Sequence, residues 1–233
     1  MKTSLVRSGR RPATSGNRKF IVNCYLMVVL MLFAIVKTEA QETVIHNLSG
    51  TDKDNTVDWD FFCSKGAKSG SWMKIAVPSN WEQQGFGGYT YGNGYANKAS
   101  GRTDEKGIYK YSFNASPAWK NKHVFIVFEG VMTDAEVKIN GKSAGDVHQG
   151  GFYQFRYEIG NLLSFSDSNR LEVNVSKESA NRSVNRAERE GDFWALGGIF
   201  RPVYLEIVPE TFLDKTAIDA KADGSLQVRS VLT

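Results

Sequence analysis

The chain has 233 residues, 41% of them hydrophobic, with 29 Lys/Arg against 25 Asp/Glu for a formal net charge of +4. That length suits one large domain, or one domain and part of another. The basic excess is confined to residues 1–40, which hold seven Lys/Arg and a single acid, Glu39; the rest, with twenty-two bases against twenty-four acids, is net −2, so nucleic acid is set aside as a partner.

The first element in chain order is a leader. A basic, acid-free stretch up to Lys19 precedes the apolar run FIVNCYLMVVLMLFAIV (Phe20–Val36) and then KTEAQE. That order predicts a signal peptide over residues 1–40, cleaved after Ala40. The run is also almost long enough to span a bilayer, so an uncleaved signal anchor is the alternative. Either way the remainder is expected to be exported, to the periplasm or the cell surface. Cys24 lies inside the apolar run and Cys63 is the only later cysteine, so the mature chain must rest on its core rather than on an internal disulfide.

From Gln41 to about Ser71 the chain is polar and punctuated, an entry segment with one short strand. Short runs of period-two alternation separated by turn residues follow. MKIAVP (Met73–Pro78) reads as a strand closed by proline, GIYKYSFNA (Gly107–Ala115) as an alternating strand, and HVFIVFEGV (His123–Val131), apolar on both faces, as a central strand. In DAEVKINGK, Ala135, Val137 and Ile139 face one side, and Asn140-Gly141 suits a tight hairpin turn. NRLEVNVS repeats the pattern with Leu171, Val173 and Val175 inward, and RPVYLEIV with Val203, Leu205 and Ile207. No convincing helical periodicity appears after the leader. The expectation is an all-β fold, an antiparallel sandwich whose inward rows form the core. Beyond Pro209, FLDKTAIDAKADGSLQVRSVLT reads as two fresh strands about an ADGS turn, with the second still running at Thr233; the chain reads as the front of a longer polypeptide.

The three histidines, His46, His123 and His148, have no metal-ligand spacing, and HExxH and phosphate-loop patterns are missing. His123 reads as a surface residue at a strand start. What remains is aromatic. VPSNWEQQGFGGYTYGNGY (Val77–Tyr95), GGFYQFRYEIGNLL (Gly150–Leu163) and GDFWALGGIFRPVYLEIVP (Gly191–Pro209) set flat rings among amides and acids. A pyranose offers a C–H face that stacks on such rings and hydroxyls that need paired donors and acceptors. Trp81, Tyr91 and Trp194 are the candidate stacking or pocket-rim rings; the competing reading is that such rings cap the core. Composition alone carries the argument to an exported β-sandwich with a case for carbohydrate binding.

Taken in order, IAVPSNWEQQGFGGYTYGN, GIYKYSF, the segment from VFIVFEGV through INGK to GNLL, NRLEVNV and GDFWALGGIFRPVYLEIVP resemble the N-terminal sugar-binding domain of family 2 glycoside hydrolases, bacterial β-galactosidases most of all. The resemblance runs from about Trp72 to Pro209 and weakly on to Thr233. It implies a galactose-binding-like jelly roll over residues 41–208. Residues 209–233 would begin a truncated immunoglobulin-like domain. In such enzymes the jelly roll packs on a (β/α) barrel and lends residues to its sugar pocket. The residues here that match sugar contacts are Asp192, in GDFW, and Asn93, in YGN. Asp192 is also a candidate ligand for a monovalent cation, and Na+ or Mg2+ are the ions expected in a full enzyme, with no cofactor in this chain. Trp194 and Arg201 match family positions too and are read as structural, and Gly197-Gly198 as the tight turn into the last strand. For Asp192 the alternative is a turn acid beside Glu188, Arg189 and Glu190.

The resemblance also exposes a departure. Retaining glycosidases use two carboxylates about 5 Å apart; in this family the acid/base follows an asparagine, and the chain contains no Asn-Glu dipeptide. The expectation is therefore the non-catalytic, sugar-binding front of a secreted β-galactosidase-like hydrolase, inactive by itself. Its expected partners are a terminal β-galactoside or related sugar and the catalytic barrel, with a homo-oligomer left open. A free-standing carbohydrate-binding module and a surface domain tethered through Phe20–Val36 are the alternatives.

Overall fold

The computed structural model describes residues 42–91 and 104–233; the leader and Asn93 lie outside the described residues. Two antiparallel sheets organise them. In the smaller sheet the order is Val44–Asn47, Val203–Val208, His123–Phe128, Phe155–Glu158. In the larger it is His148–Gln149, Asp134–Ile139, Asn169–Ser176, Lys106–Phe113, Val57–Cys63, Trp72–Val77, with Lys142–Ser143 also paired to Asp134–Ile139. Strands distant in sequence lie side by side, the pattern of a jelly-roll β-sandwich.

Period-two alternation places the core. Val173 sits opposite Tyr109 on one side and Val137 on the other, and Tyr109 faces Phe61 on the next strand. All four side chains are buried in one cluster with Val124, Ile126, Phe128, Val203, Leu205 and Ile207 of the smaller sheet. Each fully buried large side chain contributes about 1.5–3 kcal/mol by leaving water. His123–Phe128 does lie between two neighbours, with Val124, Ile126, Val127 and Phe128 all buried. His123 opens it half-exposed, its Nδ1 2.6 Å from Glu158 Oε1. Trp59 spans the core and donates its indole N–H to Leu48 O at 3.0 Å.

Asn140 and Gly141 take positive φ values of 52° and 79°, closing the hairpin between Asp134–Ile139 and Lys142–Ser143. After Pro209 the chain forms a hairpin of its own, Leu213–Ala220 with Leu226–Leu232, whose residues are exposed apart from half-buried Asp214. It meets the sandwich through an ion pair of Asp214 with Arg156 and through Phe212, which packs against His123 and Phe125.

One element departs from the sequence reading: Arg182–Glu188 is an α-helix. Only Asn185 is buried along it, so it has no apolar stripe and no 3.6-residue signal to find. Its start is set by Asn181, whose side chain accepts from Ser183 N at 2.9 Å. Among the described residues no helix is long and apolar enough to cross a membrane.

Candidate functional site

The aromatic stretches meet at a small ribbon. After Pro78 the chain passes Trp81, makes a 3-10 turn at Glu82–Gln84 that ends on left-handed Gly85, and reaches the short strand Thr90–Tyr91. Trp194–Ala195 pairs with it antiparallel, Trp194 opposite Tyr91 and Ala195 opposite Thr90. The Tyr91 hydroxyl donates a hydrogen bond to Asp192 Oδ1. That bond is the main cause of a phenol pKa pushed above its usual value, since the neutral phenol is the donor. Tyr91 and Tyr89 both stand edge-on to the Trp194 ring, with centroids 4.9 Å and 5.7 Å away. Tyr91 and Trp194 are 45% and 54% exposed, and Asp192 is exposed as well. The ribbon therefore presents large rings and a carboxylate together to solvent, a combination that matches the C–H face and hydroxyl rim of a sugar.

The second aromatic stretch is tied to the same segment. Glu188, at the end of the helix that leads to Asp192, accepts from Gly151 N through Oε2 at 2.7 Å. Phe152 and Tyr153, the next two residues, are exposed.

Beneath the ribbon lies a buried ion cluster that sequence reasoning missed. Lys177 and Glu82 have no exposed side-chain surface, and the Lys177 ammonium lies 2.6 Å from Glu82 Oε1 and 3.5 Å from Glu105 Oε1. It also donates to Gly88 O at 2.5 Å. Glu105 accepts from Gly88 N at 2.9 Å and from the Trp81 indole at 2.6 Å, and Glu82 accepts from Gly197 N at 3.0 Å. Burial raises the Glu82 carboxyl above the usual carboxylate range, against the lowering effect of Lys177. A signal was present: Lys177 continues the inward row of Leu171, Val173 and Val175 two residues further on. A lysine on the core side of a strand requires a carboxylate partner.

The remaining sequence candidates fall as follows. Trp81 is corrected. It is fully buried, its ring lies against Phe61, and its N–H is held by Glu105, so no face is open for a sugar. It caps the core, the competing reading above. A Cβ added to Gly197 would lie 2.2 Å from the Trp81 ring, and Gly198 takes φ +123°, so the glycine pair does serve a close approach and a turn. Arg201 is exposed, with its guanidinium over Phe200 at 5.1 Å. Among the described residues no group of three or more His, Cys, Asp and Glu is arranged to hold a metal ion. Asp192 offers one carboxylate, already engaged by Tyr91, so a cation there would take its other ligands from elsewhere.

Comparison with known proteins gives the family. Residues 52–209 match the family model described as glycosyl hydrolases family 2, sugar binding domain. A β-glucuronidase of Bacteroides fragilis is 27% identical over 208 residues, 88% of this chain and 26% of its own length. A β-galactosidase of Streptococcus thermophilus is 31% identical over 166 residues, covering 67% of this chain and 15% of the relative. Among solved structures, a calcium-binding mutant of Bacteroides uniformis β-glucuronidase 2 superposes with a TM-score of 0.59 at 23% identity, over 82% of this chain and 22% of that one. The chain spans about a quarter or less of the length of these relatives. With the family model matching residues 52–209, more than half of its length, the chain belongs to glycoside hydrolase family 2, whose sugar-binding domain it contains.

Proposed function

We propose that this chain is the non-catalytic, sugar-binding front of an exported family 2 glycosidase, and that Asp192 and the rings around it form one wall of the pocket for the terminal sugar. The observation that carries the reading is the convergence of Asp192, Tyr91 and Trp194 on one exposed ribbon of a family 2 sugar-binding domain. A carboxylate accepts hydrogen bonds from sugar hydroxyls, and the adjoining rings cover the C–H face. Hydrolysis itself needs a pair of carboxylates about 5 Å apart; these would come from a catalytic barrel outside this chain, against which the domain packs. The substrate class favoured is a terminal β-galactoside or a related sugar. The basic and apolar leader supports export to the periplasm or cell surface, with the hairpin after Pro209 opening the next domain. Na+ or Mg2+ near Asp192 would draw most of its ligands from that barrel. A homo-oligomer is compatible with this arrangement.

The test is Asp192→Asn in the full-length polypeptide. Losing a charged hydrogen-bond acceptor costs about 1.5–3 kcal/mol, so KM on an aryl β-galactoside or β-glucuronide is expected to rise roughly 10- to 100-fold with the thermal midpoint unchanged. Unchanged kinetics would return Asp192 to an ordinary turn acid.

A further inference from the structure

We propose that Lys177 is the positioning residue of the sugar-binding ribbon, holding both of its strands in register through two buried carboxylates. The proposal rests on the reading of Asp192 and its ring neighbours as a sugar pocket and adds the device that fixes their geometry.

The ribbon cannot set its own shape. Its ladder is only two residues long on each side, Thr90–Tyr91 against Trp194–Ala195, and so short a pair is unstable in water by itself. Its rings are exposed, so they gain little from burial. The chain around it is anchored instead at Gly88, two residues before Thr90, and at Gly197, two residues after Ala195. Gly88 is held from both ends of its backbone: its carbonyl accepts from Lys177 at 2.5 Å and its N–H donates to Glu105 at 2.9 Å. Gly197 is held likewise, its N–H donating to Glu82 at 3.0 Å and its carbonyl accepting from Trp81 N at 3.1 Å.

Lys177 joins these anchors, because its ammonium contacts both Glu82 and Glu105. It is delivered by the strand Asn169–Ser176, whose neighbours on both sides are long ladders of the larger sheet. Lys177 N also donates to Glu105 O at 3.1 Å, tying that carboxylate's own backbone to the same strand end. The larger sheet thus reaches the rim through the buried Lys177 ammonium, and a second buried cation, Arg189, donates to Leu196 O beside Gly197. A buried ion cluster adds little net stability compared with apolar packing, so the geometry it imposes is the reason to retain it. Asp192 follows directly, since it precedes Trp194 by two residues and is bonded to Tyr91 across the ribbon.

The experiment uses the full-length polypeptide and whichever of 4-nitrophenyl β-D-galactoside and 4-nitrophenyl β-D-glucuronide it hydrolyses. Lys177→Met is compared with wild type, with Asp192→Asn and with the double variant. A charge-balanced variant, Glu82→Gln with Lys177→Met, guards against a misfolded single substitution by leaving fewer buried carboxylates unpaired. Hydrogen exchange over residues 86–91 and 192–198 is expected to speed up at least about tenfold, while residues 169–175 stay within about twofold. KM is expected to rise about tenfold, with kcat changing less than about threefold. Added to Asp192→Asn, the Lys177 change should raise KM no more than about twofold further, because both act on one contact. A general loss of stability would speed exchange everywhere and multiply the two KM effects; either result overturns the proposal. If Asp192→Asn raises KM while the Lys177 variants alter neither exchange nor KM, positioning by Lys177 is wrong and the sugar-pocket reading stands. If Asp192→Asn leaves KM unchanged, the pocket reading falls and the role of Lys177 in sugar binding falls with it.

Discussion

Single residues at this rim differ in what their burial costs them. His148 lies stacked on Phe155, ring centroids 3.8 Å apart, with Nε2 2.9 Å from Gly150 O. Burial is the largest influence on it and lowers its pKa, against smaller raising effects from the Gly150 carbonyl, Asp134 and Glu188. A base whose folded pKa is depressed binds protons less readily folded than unfolded. Its contribution to stability is therefore complete above the unfolded value of about 6.5 and is lost as pH falls toward the folded one. Urea unfolding of wild type and His148→Gln is expected to show a stability difference that moves against wild type between pH 7.5 and pH 5; a difference constant across that range would refute the assignment. The loss should register at the second aromatic loop, since the same histidine bonds Gly150, next to the Gly151 held by Glu188. Cys63, by contrast, is buried and its thiol pKa is raised chiefly by that burial, which suits an inert core side chain rather than a nucleophile.

Elements are shaped here by two glycines under different constraints. Gly141 needs its left-handed backbone, with φ 79° and nothing within 4 Å of an added Cβ. Gly141→Ala should therefore cost only backbone strain, about 1 kcal/mol, and leave the site untouched. Gly197 is crowded instead: an added Cβ would meet the Trp81 ring at 2.2 Å. That ring is wedged against Phe61 and bonded to Glu105, so it has nowhere to retreat. Gly197→Ala should cost about 1–3 kcal/mol from overpacking and also raise KM, because the displaced backbone carries the ribbon. Denaturation midpoints and kinetics of the two variants, measured in the full-length polypeptide, separate the cases; equal losses with no kinetic change at Gly197 would contradict this account. The short helix Arg182–Glu188 belongs to the same scale. It packs almost nothing, yet its last residue holds the Gly151 loop, so its purpose is placement rather than core formation.

At the scale of the molecule, the sandwich was legible because each strand writes its inward row at alternate positions, as Leu171, Val173 and Val175 do, and one core must collect those rows. The rim was less so. Residue chemistry and family resemblance single out Asp192, Tyr91 and Trp194 as candidates, but nothing local to GDFW or YTY states that Tyr91 and Asp192 bond across 101 residues of sequence. Trp81 was misplaced because a tryptophan beside glycines and amides reads alike whether it faces solvent or core; only the Glu105 carboxylate and the close glycines decide it. Lys177 has the inward parity, but it stands just past the last apolar residue of the row, Val175, where a lysine by itself reads as solvent-facing. The same separation of scaffold from rim bears on activity. The rim supplies a hydroxyl acceptor and rings, whereas cleavage of a glycoside by retention needs an acid/base and a nucleophile on either side of the bond. Asp192 has its Oδ1 engaged by Tyr91, and the chain has no Asn-Glu dipeptide. Residues 42–233 expressed by themselves are accordingly expected to leave 4-nitrophenyl β-D-galactoside and β-D-glucuronide unhydrolysed beyond the buffer blank, while the full-length polypeptide turns one of them over. Turnover by the short chain that survives purification and is abolished by Asp192→Asn would mean that this domain carries catalytic groups of its own, and the division of labour between sugar-binding wall and catalytic barrel would have to be abandoned.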